Sequence, residues 1–428
     1  MAEKILISKA KMADATGFRS VDVLIEDGRI AAMGDTLPVS EEVRRINADG
    51  LLLSHGFCDL HVHFREPGQE AKETIRTGSL AAAHGGYTTV CTMPNLSPAP
   101  DAPDTLGIEL QRIHDTAVVE VLPYAALTHA RAGKEPVNMS ALKHQAVAFS
   151  DDGSGIQTEE VMRALMQQAA KEDVIIAAHC EDNSLLHGGY IHDGDYARRH
   201  GHRGICSESE WGQIARDLAI ALETGCHYHV CHISTKESVE LIRRYKALGA
   251  KVTCETGPHY LTLCDDDLQE EGRYKMNPPL RSAADRDTLI AGLLDGTIDA
   301  IATDHAPHTA EEKSRGLEKS PFGIVGLETA FPILYTHLVL PGILPLHQLL
   351  DLLDRQPRRI FRIGGELQPG TPADLTLFDL DHEYTIHSTD FLSMGKATPF
   401  EGWKVKGKCM LTLKDGQTVY QDPNLNIH

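Results

Sequence analysis

The sequence has a clear deficit of positive charge. Its 428 residues include 41 Lys and Arg against 61 Asp and Glu, which leaves a formal net charge of −20. Proteins that bind nucleic acids need clustered Lys and Arg to neutralise phosphates. We therefore expect no nucleic-acid partner.

The sequence also lacks long apolar runs. A membrane-spanning helix needs about 18 or more consecutive apolar residues, and no such run occurs. The opening residues MAEKILISKAKMADATG do not have the apolar core behind a basic start that marks a signal peptide. These absences predict a cytoplasmic protein without a membrane partner.

Paired cysteines are missing as well. The nine cysteines are odd in number and scattered, and none forms a Cys-x-x-Cys motif. Free cysteines commonly behave as small buried hydrophobic residues, and this is the role that we expect for them here.

Both ends of the chain have the pattern of short β-strands. KILISKA and SVDVLIEDGRIAAMG near the start, and ADLTLFDLD and GKCMLTLKDGQTVY near the end, are β-type runs. The pairs Asp27-Gly28 and Asp415-Gly416 are typical of hairpin turns. We predict a small β-sandwich domain built from residues 1–53 plus 367–428.

Residues 54–366 alternate short apolar runs with longer helical stretches. The eight runs are GFCDLHVHF, GYTTVCTM, VEVLPYAAL, AVAFS, DVIIAAH, HYHVCHI, KVTCET and TIDAIATD. Eight strands that alternate with helices predict parallel pairing and an α/β fold, a (β/α)8 TIM barrel. A doubly wound open sheet is the alternative, but no Gly-rich phosphate-binding motif follows the first run.

Metal-ligand residue types follow several of these runs. They are His61, His63, the Asp151-Asp152 pair, His179, His232 and Asp304. Active sites of such barrels lie at the carboxyl ends of the strands. These residues therefore predict a metal site at that end of the barrel.

The His-x-His pair carries much of this prediction. Side chains alternate along a strand, so His61 and His63 should point the same way and chelate one metal ion. By the same rule His227 and His229 should point away from His232, towards the helices, and His305 should turn outwards. The ligands are too many for one tetrahedral zinc with an open position, so they favour two ions. Zinc suits this set, with manganese or cobalt as substitutes.

Several long segments resemble the amidohydrolase superfamily and, within it, the bacterial class I dihydroorotase family. They are GFCDLHVHFREPG, GGYTTVCTMPN, FSDDGSGIQ, AHCEDNSL, CHYHVCHISTKES, YKMNPPLR, IDAIATDHAPHT and PFGIVGLETAFP. The resemblance implies a two-zinc enzyme that reversibly hydrolyses the ring amide of dihydroorotate in pyrimidine biosynthesis.

The resemblance also implies a role for each ligand. His61, His63 and Asp304 resemble the ligands of one zinc, His179 and His232 those of the other, and Asp152 would bridge the two. Asp304 would also move the catalytic proton. Many relatives bridge through a carbamylated lysine, but this chain has FSDDG at that position. This difference separates it from hydantoinases and allantoinases.

Other positions resemble contacts to the substrate. Arg65, Asn95 and His308 would hold the substrate carboxylate, and Asn277 with the Phe322-Gly323 backbone would contact the ring, with His63 also beside the substrate. Arg65 suits this role because a guanidinium binds a carboxylate through two parallel hydrogen bonds. The polar segment 309–320 is a candidate mobile cover over the site.

Two other functions are compatible with the sequence. One is another cyclic-amide hydrolase, a dihydropyrimidinase or an allantoinase. The other is a non-catalytic scaffold partner of aspartate transcarbamoylase, although here all six ligand positions are filled. Both a homodimer and a complex with aspartate transcarbamoylase are compatible with an active enzyme.

Overall fold

The computed structural model describes residues 4–38 and 43–425. Its strands are β1 (Lys4–Asp14), β2 (Gly17–Glu26), β3 (Arg29–Gly34), β4 (Arg44–Asn47), β5 (Leu52–His55), β6 (Phe57–Val62), β7 (Tyr87–Thr92), β8 (Glu120–Pro123), β9 (Ala125–Ala126), β10 (Phe149–Ser150), β11 (Ile175–Ala178), β12 (Ile191–His192), β13 (Gly204–Ile205), β14 (His227–Val230), β15 (Val252–Thr256), β16 (Ala300–Ile301), β17 (Leu375–Thr385), β18 (Lys404–Lys414) and β19 (Gln417–Gln421).

The helices connect the central strands and continue beyond them. They are α1 (Ile75–His84), α2 (Pro103–Thr116), α3 (Met139–Leu142), α4 (Glu159–Glu172), α5 (Asp195–His200), α6 (Glu208–Thr224), α7 (Lys236–Ala247), α8 (Pro258–Thr262), α9 (Ala283–Leu294), α10 (Ala310–Lys313), α11 (Gly316–Lys319), α12 (Ala330–Leu334), α13 (Leu346–Leu353) and α14 (Arg355–Phe361).

The central strands form a closed parallel barrel. One set of paired strands runs β6-β7-β8, and another runs β9-β10-β11-β14-β15-β16. Only Tyr124 separates β8 from β9, so the two are one barrel strand. The ring closes where Val62 pairs with His305 in parallel and the His63 N–H donates to the His305 carbonyl at 2.8 Å. The predicted (β/α)8 barrel is confirmed.

The barrel has an inner and an outer apolar layer. Small and medium side chains such as Cys58, Leu60, Cys91 and Ala177 form an inner cluster, while the opposite strand faces pack against the helices. α7 illustrates how a helix follows a strand end. Thr235 caps it by accepting from the Ser238 N–H, and its buried face carries Val239 and Ile242.

The two ends of the chain share one sheet. Its order is β19-β18-β17-β5-β1-β2-β3, with β4 paired to β1. The sheet folds over on itself, because the turn after β2 meets the turn after β18. A Cβ on Gly28 would lie 2.6 Å from the Asp415 carbonyl oxygen. Apolar residues of both ends form one core here, as the predicted β-sandwich requires.

The domain boundaries at residues 53 and 367 stay a prediction. β5 crosses the first of them, because it runs from Leu52 to His55. Within residues 4–38 and 43–425, no helix is both long and apolar enough to span a membrane. All nine cysteines are free, and every one except Cys206 is buried.

Candidate metal centre

Six buried side chains meet at the carboxyl ends of the barrel strands. They come from β6 and the residue directly after it, from the turns that follow β10, β11 and β14, and from the segment after β16. They are His61, His63, Asp152, His179, His232 and Asp304. None is more than 7% exposed. The structure thus brings together all six predicted ligand residues.

One group contains His61, His63 and Asp304. Asp304 Oδ1 lies 3.1 Å from His63 Nε2 and 3.4 Å from His61 Nε2. The ligand atoms of the three residues all lie within 4.8 Å of one another, which is compatible with a single bound metal ion. This is the set that the family resemblance assigns to one metal.

Asp152 lies at the centre of the second group. Its Oδ1 lies 3.5 Å from His61 Nε2, 3.7 Å from His232 Nε2 and 3.9 Å from His179 Nδ1. The two nitrogens of His179 and His232 are themselves 3.1 Å apart. The other carboxylate oxygen of Asp152, Oδ2, lies 3.7 Å from His63 Nε2. Asp152 therefore faces imidazoles of both groups, where a bridging carboxylate would lie.

The donor atoms fit a metal ion. His61 Nε2 and Asp152 Oδ1 are buried and have no hydrogen-bond partner among the described residues. Burial raises the pKa of the Asp304 carboxyl, but His61 and His63 outweigh this effect and hold it below its ordinary value. Burial lowers the pKa of His61, but Asp152 and Asp304 outweigh it and raise that pKa to about 10. Two buried carboxylates thus require nearby positive charge, which metal cations would supply.

Asp151 has a structural role instead. Its Oδ1 accepts from the backbone N–H groups of Leu127 and Thr128 at 2.8 and 3.1 Å, and its Oδ2 accepts from the Thr128 hydroxyl. These bonds tie the turn after β10 to the end of β9. The pair is therefore divided, with one carboxylate holding the loop and the other, Asp152, facing the site.

Several site residues have a left-handed backbone. The φ angles are 32° at His232, 49° at Asp304 and 61° at Arg65. Such conformations cost about 1–3 kcal/mol each for residues other than glycine and cluster at functional sites. Here they turn the chain at the strand ends so that the side chains point over the barrel mouth.

The prediction that His227 and His229 face the helices was wrong. Both hydrogen-bond Thr253 Oγ1, and His229 Nε2 lies 3.2 Å from Glu255 Oε2 inside the barrel. The alternation of side chains does not extend to His232, because its backbone is left-handed, with φ 32°. His229 and His232 therefore face the same side although one number is odd and the other even. His305 does turn outwards, with its Nε2 3.5 Å from Glu73.

Glu255 orients a metal ligand, and sequence reasoning missed it. Its Oε1 lies 3.1 Å from His61 Nδ1, which leaves His61 Nε2 directed at the two aspartates. A carboxylate behind a metal-binding histidine fixes its tautomer and ring orientation. The signal was present in the sequence, since Glu255 is an acidic residue near the end of the seventh strand run, where an apolar residue would be expected if the position only packed in the core.

Replacing Glu255 with Gln should weaken the metal centre. The Gln oxygen can still accept from His61, but it carries no charge, so we expect metal affinity or turnover to fall about 10–100-fold. Titration of the bound metal and a steady-state assay would measure both. Glu109→Gln is a matched control, because Glu109 is buried and bonds Thr92 Oγ1 away from the site; an equal loss in both variants would contradict the role of Glu255.

A small cavity adjoins the metal-ligand residues. Its volume is about 150 Å³, and it is lined by His63, Arg65, Asn95, Asp152, Gly153, His179, His232, Asn277, Asp304, Ala306, Phe322 and Gly323. Every predicted substrate contact except His308 lines it. The buried Asn95 Oδ1 and Asn277 Oδ1 have no partner among the described residues, so both are free to accept from a ligand.

His308 lies just behind this cavity. Its Nε2 donates to the Phe322 carbonyl at 2.7 Å, so the 3.4 Å approach of Arg65 Nη2 to the same nitrogen is a contact and not a second hydrogen bond. Burial, followed by the nearby Arg65 charge, lowers the pKa of His308 to about 3. Arg65 Nε donates to the Pro307 carbonyl at 3.2 Å, which fixes the guanidinium at the cavity wall.

Glu181 is a further site residue that the sequence did not single out. Its Oε1 accepts from Asn277 Nδ2 at 2.9 Å, and its Oε2 lies 3.7 Å from His179 Nε2. It therefore connects a metal-ligand residue to a predicted ring contact.

Solved structures share this barrel and its appended sheet. L-hydantoinase (dihydropyrimidinase) from Arthrobacter aurescens has a TM-score of 0.88 at 28% identity, covering 100% of this chain and 98% of that one. The dihydropyrimidinase from Brevibacillus agri NCHU1002 has a TM-score of 0.86 at 22% identity, covering 99% and 96%. The fold and the clustered metal-ligand residues define a cyclic-amide hydrolase of the amidohydrolase class.

The sequence comparisons specify the family. A family model described as "Dihydro-orotase-like" matches residues 50–238. The dihydroorotase of Geobacillus sp. (strain WCH70) is 52% identical, over 97% of this chain and 99% of that protein. The dihydroorotase of Shouchella clausii (strain KSM-K16) is 54% identical, over 94% of each. The chain belongs to the dihydroorotase family.

Proposed function

We propose that this chain catalyses the reversible hydrolysis of the ring amide of (S)-dihydroorotate to N-carbamoyl-L-aspartate, and that ring closure is its biosynthetic direction. The observation that carries the proposal is the convergence of six buried metal-ligand residues beside a cavity with a buried arginine. The sequence relatives favour this reaction over those of dihydropyrimidinase and allantoinase, and the complete ligand set argues against a scaffold alone.

The ligand set suits two zinc ions, with manganese or cobalt as substitutes. His61, His63 and Asp304 would hold one, His179 and His232 the other, and Asp152 would lie between them. Bound there, the ions would polarise the ring carbonyl and make hydroxide available near neutral pH. Substrate binding and proton transfer would be carried out by the chain's own residues.

Arg65 and its neighbours would bind the substrate carboxylate. Arg65 is only 8% exposed, and burial lowers the pKa of its guanidinium to about 10, so the group stays charged at neutral pH. A buried guanidinium and a carboxylate form charge-assisted hydrogen bonds, which are about twice as strong as neutral ones. Asn95 lies on the same wall, where its Nδ2 donates to the Asp152 carbonyl at 2.9 Å.

Asp304 would move the proton. Its carboxylate faces the cavity beside His63 and its low pKa keeps it ionised, ready to accept a proton from the attacking water. It would then deliver this proton to the ring nitrogen as the carbon–nitrogen bond breaks. An amide nitrogen leaves poorly as an anion, so this delivery is required.

A substrate panel tests the proposed reaction. Dihydroorotate hydrolysis, followed by ultraviolet absorbance, should far exceed hydrolysis of dihydrouracil, hydantoin and allantoin. None of these three compounds carries a carboxylate for Arg65 to bind. Faster hydrolysis of any of the three would replace the proposal with that rival activity. If metal-loaded protein hydrolyses none of the four compounds, dihydroorotate included, the scaffold function would be favoured.

Arg65→Met should mainly weaken substrate binding. The loss of a charge-assisted pair costs about 1.5–3 kcal/mol, so KM for dihydroorotate should rise about 10–100-fold while kcat changes less. Arg362→Met is the control, because Arg362 pairs with Asp173 on the surface, just before β11 begins. An unchanged KM in Arg65→Met would contradict the carboxylate role.

The cellular context follows from the proposed reaction. We propose a cytoplasmic enzyme whose partner is its small-molecule substrate, with a homodimer as its assembly. Co-purification with an aspartate transcarbamoylase would test the further partner that the sequence allows. Light scattering of the purified chain would test the dimer.

A further inference from the structure

A buried lysine fastens the segment that precedes the ring-contacting backbone. Lys313, at the end of α10, is 8% exposed. Its Nζ donates to the carbonyls of Gly323, Pro321 and Lys275 at 2.7, 2.9 and 3.1 Å. No carboxylate within residues 4–38 and 43–425 pairs with it, and burial lowers its pKa to about 7. The three N–H donors of this ammonium group therefore all bind backbone carbonyls.

A second buried lysine, Lys275, reaches from the segment 272–277 back to the segment that carries Lys313. Lys275 is 6% exposed. Its Nζ donates to the Glu318 carbonyl at 2.6 Å and lies 4.6 Å from the centre of the Phe322 ring. The Lys275 carbonyl also accepts from the Gly323 N–H at 3.1 Å. Lys275 and Lys313, called the lysine clasp below, thus tie the segment 309–323 to the segment 272–277.

The clasp holds both predicted contacts to the substrate ring. Asn277 follows Lys275 by two residues, and the Phe322-Gly323 backbone lies between the carbonyls that Lys313 binds. Gly323 has φ 129°, and a Cβ there would lie 2.6 Å from the Ala306 carbonyl oxygen. This peptide is therefore closely confined: its own Phe322 carbonyl accepts from His308, and the carbonyls on either side of it accept from Lys313.

We propose that the lysine clasp is a positioning device for ring recognition, which docks the segment 309–323 before substrate arrives and aims the Phe322-Gly323 backbone into the cavity. This inference rests on the proposed function, since the ring contact is part of it. It also differs from the mobile cover predicted for residues 309–320, because a segment tied by two buried lysines is already closed in the free enzyme.

Steady-state kinetics of Lys313→Met and Lys275→Met test the proposal. Met keeps the apolar stem but loses the donors. We expect KM for dihydroorotate to rise about tenfold, as loss of about one hydrogen bond to a charged group predicts, with kcat within about threefold and bound metal unchanged. Lys319→Met is the matched control, because Lys319 is exposed on the same segment, and it should behave as wild type.

Hydrogen exchange of the free enzyme supplies a readout that does not depend on activity. Residues 309–323 should exchange faster in Lys313→Met than in wild type or Lys319→Met, and ligand should add little protection to wild type. Unchanged KM and exchange in both clasp variants, or a loss of kcat and metal with KM unchanged, would overturn the clasp. So would strong ligand-induced protection of this segment in wild type, since that is the behaviour of a mobile cover.

Two cases separate the clasp from the function. If Lys313→Met does not fold, Lys275→Met alone decides by the same criteria. If wild type does not hydrolyse dihydroorotate, the proposed function fails, and the exchange of the clasp variants still decides whether the lysines hold the segment.

Discussion

Replacing Asp304 with Asn is expected to lower kcat for dihydroorotate by about 10²–10⁴-fold, the usual contribution of a positioned general acid and base. Asn keeps an oxygen that can face His63 and a metal, but it can neither accept nor return a proton at neutral pH. Metal content should therefore stay close to that of wild type while turnover is lost. Steady-state rates and metal analysis of the same preparation would measure both.

The control should remove a buried aspartate that lies far from the site. Asp22 is 6% exposed, and its carboxylate accepts from the Lys9 and Leu37 N–H groups in the terminal sheet. Asp22→Asn should lower stability without changing kcat. Near-normal turnover in Asp304→Asn would remove this residue as the proton carrier, and a parallel loss of metal would make it a ligand only.

The sequence predicted the barrel from its eight apolar strand runs, and it predicted the site because five of those runs are marked twice. An apolar run marks the strand itself, and a polar residue at its carboxyl end marks the site, as at His61, His179 and Asp304. Parallel strands put those ends at one mouth. Five of the six ligand residues could therefore be named without knowing how the strands pair, and the family resemblance selected Asp152 from the Asp151-Asp152 pair.

The contacts of the supporting residues could not be found in this way, although Glu255 itself stands near the end of a strand run. Glu255 and Glu181 act through contacts between distant strands, with His61 across the barrel and with Asn277 respectively. The lysine clasp likewise depends on carbonyl directions, which no residue pattern encodes. The error at His229 has a local cause, since strand alternation holds only while φ stays negative and the chain turns at His232.

Removal of metal should abolish turnover, and about two equivalents of zinc per chain should restore it. Without cations, the buried Asp152 and Asp304 face imidazoles and the nearby Arg65 guanidinium. The metal-free protein should therefore also be less stable, by about 4 kcal/mol relative to protein with free metal at 1,000 times its dissociation constant. Chelation followed by stepwise zinc addition, read by activity and by thermal unfolding, would measure both effects.

Asp152→Asn separates a bridged pair of ions from two independent ones. Asp152 Oδ1 lies within 3.9 Å of His61, His179 and His232, so its loss should weaken the binding of both ions together. Turnover should fall by more than the roughly 10–100-fold that loss of a residue behind a metal ligand costs. Asp266→Asn, in a partly exposed group with Cys264 and Asp265 that could also hold a metal, should leave metal content unchanged. Two equivalents still bound tightly by Asp152→Asn would show that this carboxylate bridges nothing, because a shared ligand cannot be removed without affecting both ions.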